Sequence, residues 1–390
     1  MQLNNNKVLM LVLSQYKTDS RVRRQAEALV AQGKDVEVLY GDRESSCAEK
    51  TPAKSLNGVK LRRVPFLSFQ SRFKLVYIFN YLMFLLSSFV VVNWRFFATK
   101  PQKIVIHGMP NSLVFTSVLP KLFGARVILD VHDLMPELYM TVFRQQGGLL
   151  YRLLCMEERL SCLFASKVMA ANDLQAQTLQ QRVGRPFFIV HNSPDPNLFK
   201  GATRALKQSG KVTLFHHGHI HSRCGIDRVL PFIGVLKQQH PHIELQVHGC
   251  GEFCEVLKDD VEALELGDSC VFGGRFELEA LPELLQNADI GLVTDRVCST
   301  TTTCMPHKLL EYVEFKLPVI CSRTQTVSFY FDDSMMYYFD DEEQLTDIVK
   351  HIISHPQEAK DKADRAYQRY QEMAWSVQKG RYVDFIEQAA

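Results

Sequence analysis

The sequence predicts an α/β protein with two doubly wound domains, and three observations support this prediction. The chain has 390 residues, 46% hydrophobic and 23% charged, which is enough for two domains that each bury a full core. Apolar runs of strand length alternate with helical patterns, as in βαβ units built on parallel sheets. A strand followed by a loop and a helix opens each half, at residues 7–13 and 212–218.

The first half begins with a βαβ unit. Asp19 or Ser20 is the expected N-cap of its helix and Gly33 its end. No GxGxxG motif follows the first strand, so a dinucleotide site is not predicted there. The elements are predicted, in order, as strand 7–13, helix 21–30, strand 35–40, strand 59–65, strand 103–107, helix 112–123, strand 126–133, helix 151–164 and strand 167–171.

Polar side chains follow two of these strands. His107 ends one strand, and His132 and Asp133 end another. Ligands of open α/β sheets bind at the carboxyl ends of the strands, so these residues are expected in a ligand-binding cleft. The alternative for each histidine is a purely structural role.

Residues 75–94 form an uncharged segment of twenty residues between basic flanks. By length it could cross a membrane. However, the strands before and after it must join one sheet, which a single crossing would prevent. A core helix or a helix lying in the lipid surface is therefore expected, with a true span as the third alternative.

Charge and cysteine content narrow the function classes. Residues 50–129 contain twelve Lys or Arg and no acid, which predicts a basic face for anionic lipid or nucleic acid, and no nucleic-acid motif supports the second. Ten cysteines without paired spacing, and no secretory signal, favour a reducing cytosol. His248, Cys250 and Cys254 are the one group with ligand-like spacing, and a core role is favoured over metal binding there.

The second half predicts a phosphate site at one helix N-terminus. Pro306 suits a first helical turn, and the residues at 300–305 before it are expected to leave backbone N–H groups at the positive dipole end. Lys308 adds a cation, and Glu311 on the same face could accept hydrogen bonds from sugar hydroxyls. The alternative is a surface helix with a proline start. The elements are predicted as strand 212–218, strand 243–249, strand 270–275, helix 279–287, strand 289–294, helix 306–313, strand 319–322, strand 335–339 and a helix from 344.

One motif consists of Pro306, Lys308, Leu309, Leu310, Glu311 and Tyr312, followed by Pro318-Val319-Ile320. It resembles the donor-site signature of the retaining glycosyltransferases of family 4 (GT4), which have the GT-B fold. Residues 130–137, 188–199 and 375–385 are similar to the family's cleft segment, linker and final helix. The resemblance implies two Rossmann-like domains facing across a cleft. Residues 1–200 would bind the acceptor, residues 201–374 the nucleotide sugar, and residues 375–390 would form a helix crossing back to the first domain.

The resemblance also implies roles for individual residues. The implied catalytic residues are His132, near the donor's anomeric carbon, with Arg223, Lys308 and Glu311. The implied donor-binding residues are Gly218, Arg223, Arg275, Thr303, Pro306, Lys308, Leu310 and Glu311, and the implied acceptor-binding residues are Asp19, His107 and Asp133. The chain has Thr303 where the family has a second glutamate, and His219 and Cys224 where it has an arginine and a lysine. Arg223 is expected to replace both cations.

The expected reaction is transfer of a sugar, with retention, from a nucleoside diphosphate sugar, UDP-sugar favoured, to a saccharide acceptor. No metal and no cofactor are expected. The acid-free segment and the apolar helix suggest a lipid-linked acceptor, an anionic membrane partner and a peripheral position on the cytoplasmic face of the plasma membrane, in cell-surface polysaccharide, lipopolysaccharide or glycolipid assembly. The alternatives are a non-hydrolysing sugar-nucleotide 2-epimerase and a GT-B binding protein with a decayed site.

Overall fold

Two mainly parallel sheets organise the computed structural model, which describes residues 1–41, 54–67, 69, 74–143, 147–200 and 211–388. The chain divides into unit 1, Met1–Asn192 with Gln378–Ala390, and unit 2, Ser193–Val377. The boundary was expected near residue 200, in a stretch (201–210) that lies outside the described residues.

Unit 1 contains an eight-stranded sheet in the order β3-β4-β2-β1-β5-β6-β7-β8. Among the strands of this sheet in the described residues, only β3 and β4 pair antiparallel. The strands are β1 (Asn4–Val12), β2 (Asp35–Tyr40), β3 (Ser55–Leu56), β4 (Val59–Arg63), β5 (Pro101–His107), β6 (Arg126–Val131), β7 (Lys167–Ala170) and β8 (Phe188–Ile189). Apart from the hairpin of β3 and β4, the chain order moves outward from β1 in both directions, which makes the sheet doubly wound.

Helices connect these strands. They are α1 (Ser20–Ala31), α2 (Lys74–Thr99), α3 (Val118–Leu122), α4 (Met135–Phe143), α5 (Leu149–Phe164) and α6 (Asp173–Val183). Asp19 is the N-cap of α1 and accepts a hydrogen bond from the Val22 amide at 3.1 Å. The helix predicted at 112–123 is a 3-10 helix, Asn111–Ser117, followed by α3. There the Thr116 hydroxyl donates to the Leu113 carbonyl at 2.7 Å, the kind of local bond by which short polar side chains compete with an α-helix.

Unit 2 contains a six-stranded parallel sheet in the order β11-β10-β9-β12-β13-β14. The strands are β9 (Val212–His219), β10 (Ile243–Cys250), β11 (Cys270–Gly274), β12 (Ile290–Val293), β13 (Val319–Ser322) and β14 (Tyr337–Phe339). The helices are α7 (Leu230–Gln239), α8 (Cys254–Ala263), α9 (Leu281–Gln286), α10 (Ser299–Thr303), α11 (His307–Glu314), α12 (Gln325–Tyr330), α13 (Gln344–Ser354) and α14 (Pro356–Tyr370).

The last helix, α15 (Trp375–Glu387), contributes its residues from Gln378 onward to unit 1. Phe385 stacks on Phe188 with 4.2 Å between ring centroids. The Glu387 carboxylate forms an ion pair with the ammonium of the fully buried Lys103, with 3.0 Å between Oε2 and Nζ. These contacts attach the end of the chain to the unit 1 sheet.

Helix α2 contains Ile78–Thr99, a stretch long and apolar enough to cross a membrane. The strands on either side of it, β4 and β5, belong to the same sheet, as the topological argument required. The helix is not a core helix, because only 28% of its most apolar window is buried.

The segment without acidic residues, 50–129, is less basic in the structure than its composition predicts. Lys60 pairs with Asp35 at 2.6 Å, and Arg62 and Arg95 both pair with Glu37, at 3.0 and 2.6 Å. The acids come from β2, outside the segment. Chain folding therefore neutralises part of the charge that the segment carries in sequence.

Candidate active site

In unit 1, polar side chains meet at the carboxyl ends of β5 and β6. His107 is the last residue of β5 and pairs in register with Asp130 of β6. His132 follows β6 directly, and its Nε2 lies 3.2 Å from Nδ1 of His107. Both ring nitrogens face the same carboxylate oxygen, Asp130 Oδ2, at 3.3 Å and 3.4 Å. The structure thus brings together the two predicted histidines around an aspartate that was predicted only as part of the strand.

Helix α1 supplies the partners of Asp130. Arg21 donates from Nη2 to Oδ1 at 2.6 Å and from Nε to Oδ2 at 2.9 Å. Gln25 donates to Oδ2 at 2.9 Å. Burial raises the pKa of Asp130, but the Arg21 charge and the two imidazoles lower it further, so the pKa ends well below its ordinary value. Asp130 is therefore an ionised, fully paired carboxylate.

The neighbouring acids complete this cluster. Asp19 accepts a hydrogen bond from the Ser14 hydroxyl at 2.6 Å. Burial raises the pKa of Asp19, yet the charge of His132 and the bond from Ser14 bring it below its ordinary value. Burial lowers the pKa of His107, so its ring is neutral at pH 7. Asp133 follows His132 and is half-buried.

In the part of the chain that the structure describes, His107, Asp130 and His132 are the one group with metal-ligand spacing, their ligand atoms lying within 4.8 Å of one another. A cation there would meet the Arg21 guanidinium, which already holds both oxygens of Asp130. The cation and the guanidinium, both positive and both bound to one buried carboxylate, would repel each other strongly. The cluster therefore fits a hydrogen-bonded charge network better than a metal site.

In unit 2, the N-terminus of α11 lies against the end of β9. Lys308 Nζ lies 3.3 Å from Nε2 of His216. The other ring nitrogen of His216 lies 3.2 Å from the Leu292 carbonyl oxygen. Burial and the nearby Lys308 charge hold the pKa of His216 well below its ordinary value.

Glu311 is clamped between two imidazoles. Its Oε2 lies 3.1 Å from His217 Nε2, and its Oε1 lies 3.0 Å from His307 Nδ1. Its side chain is only 3% exposed. Burial raises the pKa of Glu311, but His307 and His217 lower it far more. Both oxygens that were expected to face sugar hydroxyls therefore already lie against imidazole nitrogens.

Arg223 lies in a 3-10 turn after β9, and among the described residues its guanidinium has no hydrogen-bond partner. Burial, then the charges of Arg223 and Lys308, lower the pKa of His221. The charges of both cations therefore act on one imidazole, that of His221, which lies two residues beyond β9. Gly218, with φ of +116°, adjoins them, because a Cβ atom there would be 4.0 Å from Lys308 Cε.

Arg275 lies farther along the same sheet edge, beyond β11. It donates from Nε to the Cys250 sulfur at 3.3 Å and is exposed. It was predicted as a donor-binding residue, and it lies directly after β11.

Three predictions for the α11 region need correction. Pro306 is the N-cap of α11 and His307 its first residue. Residues 299–303 form helix α10, and the Cys304 amide donates to the Thr300 carbonyl at 3.0 Å, so that amide is not free for phosphate. The side chain of Leu310 is 1% exposed and lies in the core, where a ligand cannot reach it. Thr303 donates its hydroxyl to the Thr300 carbonyl at 3.3 Å.

Sequence reasoning missed the residues that hold the charged groups in place: Asp130, Arg21, Gln25, His216, His217 and His307. One signal was available for some of them. A charged or imidazole side chain inside an otherwise apolar strand is buried, and a buried polar group needs a partner.

Two family models match the chain. The model described as "Glycosyl transferase 4-like domain" matches residues 18–192. The model described as "Glycosyl transferases group 1" matches residues 203–369. Together they cover most of both units, and the chain belongs to the GT4-type glycosyltransferases with the GT-B fold. No curated protein sequence matches the chain.

Solved structures show the same fold. Sucrose-phosphate synthase from Thermosynechococcus elongatus has a TM-score of 0.78 at 16% identity, with 98% of each chain covered. WaaG, a glycosyltransferase involved in lipopolysaccharide biosynthesis, has a TM-score of 0.68 at 18% identity, covering 97% of this chain and 99% of WaaG. Anabaena Alr3699/HepE, solved in complex with UDP, has a TM-score of 0.70 at 12% identity, covering 98% of this chain and 100% of that chain. The predicted family and the predicted fold class of two parallel-sheet α/β domains are confirmed.

Proposed function

We propose that this glycosyltransferase moves a sugar, with retention and without a resident metal ion, from a nucleoside diphosphate sugar to a saccharide acceptor. The observation that carries the proposal is the pair of cations, Lys308 and Arg223, beside the end of β9 in unit 2. UDP is the favoured nucleotide, because one structure of the same fold was solved with it.

The two cations and the α11 amides suit a diphosphate leaving group. The backbone N–H groups of His307 and Lys308 have no acceptor among the described residues, as expected for the first turn of a helix. Charge that develops on the leaving phosphate would meet these donors. Each preorganised donor of this kind is worth on the order of 3 kcal/mol. Because Lys308 and Arg223 supply positive charge, the proposed reaction needs no divalent ion.

Retention without a covalent sugar intermediate agrees with the state of the buried carboxylates. Asp130 is held by Arg21, and Glu311 by two histidines. Neither carboxylate is poised as a nucleophile. The proposal assigns His132 to the anomeric centre, and Asp19, His107 and Asp133 to the acceptor.

The proposed acceptor is a lipid-linked saccharide at an anionic membrane surface. Helix α2 presents an apolar stripe in which Ile78 is 64% exposed and Val90 66% exposed. At its end the ring of Trp94 lies between Arg62 and Arg95, whose guanidinium carbons are 5.2 and 5.3 Å from the ring centre. An exposed tryptophan suits the level of lipid headgroups, whereas the charges of Arg62 and Arg95 are partly neutralised by Glu37.

Helix α5 extends this apolar surface. It exposes Leu149, Leu153, Met156 and Leu160 on one stripe. No acid is among the exposed residues of α2 or α5. Both helices pack against the same 3-10 helix, Asn111–Ser117, so the two stripes belong to one side of unit 1. A broad apolar surface without negative charge favours anionic lipid as its partner.

The proposed location is the cytoplasmic face of the plasma membrane, in cell-surface polysaccharide or glycolipid assembly. All cysteines among the described residues are free, in keeping with a reducing compartment. The similarity to WaaG agrees with a role in lipopolysaccharide assembly.

The test of the proposal is a transfer assay with purified protein, labelled UDP-, GDP- and ADP-sugars and a lipid extract. We expect one labelled glycolipid whose anomeric configuration, read by NMR, equals that of the donor, in the presence of a chelator. Arg223→Ala should abolish the product. Release of an epimerised nucleotide sugar without acceptor would support the 2-epimerase alternative. No turnover of any donor would support the decayed binding protein, which Thr303, His219 and Cys224 also suggest.

A further inference from the structure

His216 is a fully buried imidazole with two polar neighbours. One is the Leu292 carbonyl oxygen, 3.2 Å from Nδ1, and the other is the Lys308 ammonium, 3.3 Å from Nε2. Its exposed fraction is 0%, so it cannot contact a ligand itself. Its effect on a ligand must pass through Lys308.

The two neighbours define the proton on the ring. A carbonyl oxygen only accepts hydrogen bonds, so Nδ1 of His216 must carry the proton. Nε2 is then an acceptor, which suits the ammonium of Lys308, because an ammonium only donates. Burial and the Lys308 charge lower the pKa of His216 and so keep the ring neutral. A protonated ring would repel Lys308 instead.

This contact uses one of the three N–H donors of Lys308 and leaves two for phosphate oxygens. A free lysine side chain has many rotamers and loses that freedom when it binds. The neutral imidazole restricts this freedom before the ligand arrives. Gly218 lies beside this contact, since a Cβ atom there would be in ordinary van der Waals contact with Lys308 Cε at 4.0 Å.

We infer that His216 is a positioning residue that aims the Lys308 ammonium at the diphosphate of the donor. The inference rests on the proposed function. A hydrophobic side chain at this position in β9 would fill the core equally well, whereas only an acceptor at the distance of Nε2 can hold Lys308. The contact to Leu292 serves to fix the tautomer.

Two substitutions separate the two contacts of His216. His216→Gln places an acceptor near the former Nε2 and keeps the contact with Lys308. His216→Asn places a donor near the former Nδ1 and keeps only the contact with Leu292. The control is His242→Asn, which changes an exposed histidine in the same unit.

The experiment compares UDP with UMP by calorimetric titration, with the GDP/GMP and ADP/AMP pairs in parallel. We expect wild-type protein to prefer the diphosphate, and His216→Asn to lose about tenfold or more of that preference while its affinity for the monophosphate is unchanged. His216→Gln should retain most of the preference, Lys308→Met should lose it and His242→Asn should keep it. The inference would be overturned if His216→Asn and His216→Gln showed the same preference for the diphosphate over the monophosphate. It would also be overturned if His216→Asn lost affinity for both nucleotides equally.

The failure of the proposed function would look different, because wild-type protein would then bind none of the nucleoside diphosphates. A second measurement does not depend on the folding of variants. Nitrogen-15 NMR of the wild-type protein should show His216 as the neutral tautomer with its proton on Nδ1. A proton on Nε2 would contradict the arrangement.

Discussion

The buried ion pair between Arg21 and Asp130 offers a quantitative test of the unit 1 site. The substitution Asp130→Asn keeps the size of the side chain but removes its charge. The Arg21 guanidinium, 4% exposed, would then stay buried without its counter-ion. Removal of one partner from such a pair typically costs about 3–5 kcal/mol in the free energy of unfolding.

A matched control uses an ion pair at the surface. Asp35 pairs with Lys60 at 2.6 Å, but the two side chains are 29% and 60% exposed. Water screens such pairs, so Asp35→Asn should cost less than about 1 kcal/mol. The same chemical change at two positions therefore separates the effect of burial from the effect of the substitution.

The assay is urea denaturation, with native-state hydrogen exchange of the β1 and β6 amides to follow unit 1 separately. We expect the double variant Arg21→Met/Asp130→Asn to be less destabilised than Asp130→Asn alone, because no charge is left unpaired. A surface ion pair contributes at most about 1 kcal/mol. If the losses of unfolding free energy in Asp130→Asn and Asp35→Asn differ by less than about 1 kcal/mol, the reasoning is refuted.

The same pair predicts a pH dependence. The pKa of Asp130 is lower in the folded state than its ordinary value. Its contribution to stability is therefore present above the unfolded-state pKa, about 3.9, and is lost as the pH falls below it. The stability difference between wild type and Asp130→Asn should shrink as the pH falls below about 4.

Three further predictions concern other parts of the chain. Burial raises the pKa of Glu158 to about 7, so the contribution of Glu158 to the free energy of unfolding should fall as the pH rises from about 4.5 to 7. The change in unfolding free energy caused by Glu158→Gln should be more favourable at pH 8 than at pH 4.5, by up to about 3 kcal/mol. An equal change at both pH values in denaturant titrations would contradict this. Glu311→Gln removes the charge that its two histidines hold, and donor turnover should fall at least about 100-fold in initial-rate assays, with unchanged turnover counting against a role in the site. Leu82→Glu and Leu160→Glu should each reduce flotation with vesicles that contain phosphatidylglycerol. The control Val235→Glu, at an exposed position of α7, should not. Wild-type protein that fails to float would remove the membrane proposal.

The α/β order was predictable because buried parallel strands are apolar runs, and most of the runs found in the sequence became strands. Lys308 and Arg223 were also predictable in position, since Lys308 lies in the first turn of the helix that Pro306 begins and Arg223 follows the end of a strand. By contrast, α10 was not predicted, because threonine is a weak helix former. Its Thr301 and Thr302 hydroxyls bond to the Cys298 carbonyl at 3.2 and 2.8 Å, and the Thr326 hydroxyl bonds to the Thr302 carbonyl at 2.6 Å.

The partners of the charged groups lay beyond sequence reasoning. Arg21 and Asp130 are 109 positions apart, and Lys308 and His216 are 92 apart. Spacing along the chain reports only local neighbours, whereas these contacts depend on which strand ends the topology brings together. The exposed stripe of α5 was missed for a related reason. An amphipathic pattern does not say whether its apolar side faces the core or the outside.

The most direct test of the central claim is a calorimetric titration of the purified chain with UDP-, GDP- and ADP-sugars, repeated on Glu311→Ala. The account predicts micromolar binding of one nucleotide, weakened in the variant. Binding of none of them, or binding that Glu311→Ala leaves unchanged, would contradict the assignment of a nucleotide-sugar site to the N-terminus of α11.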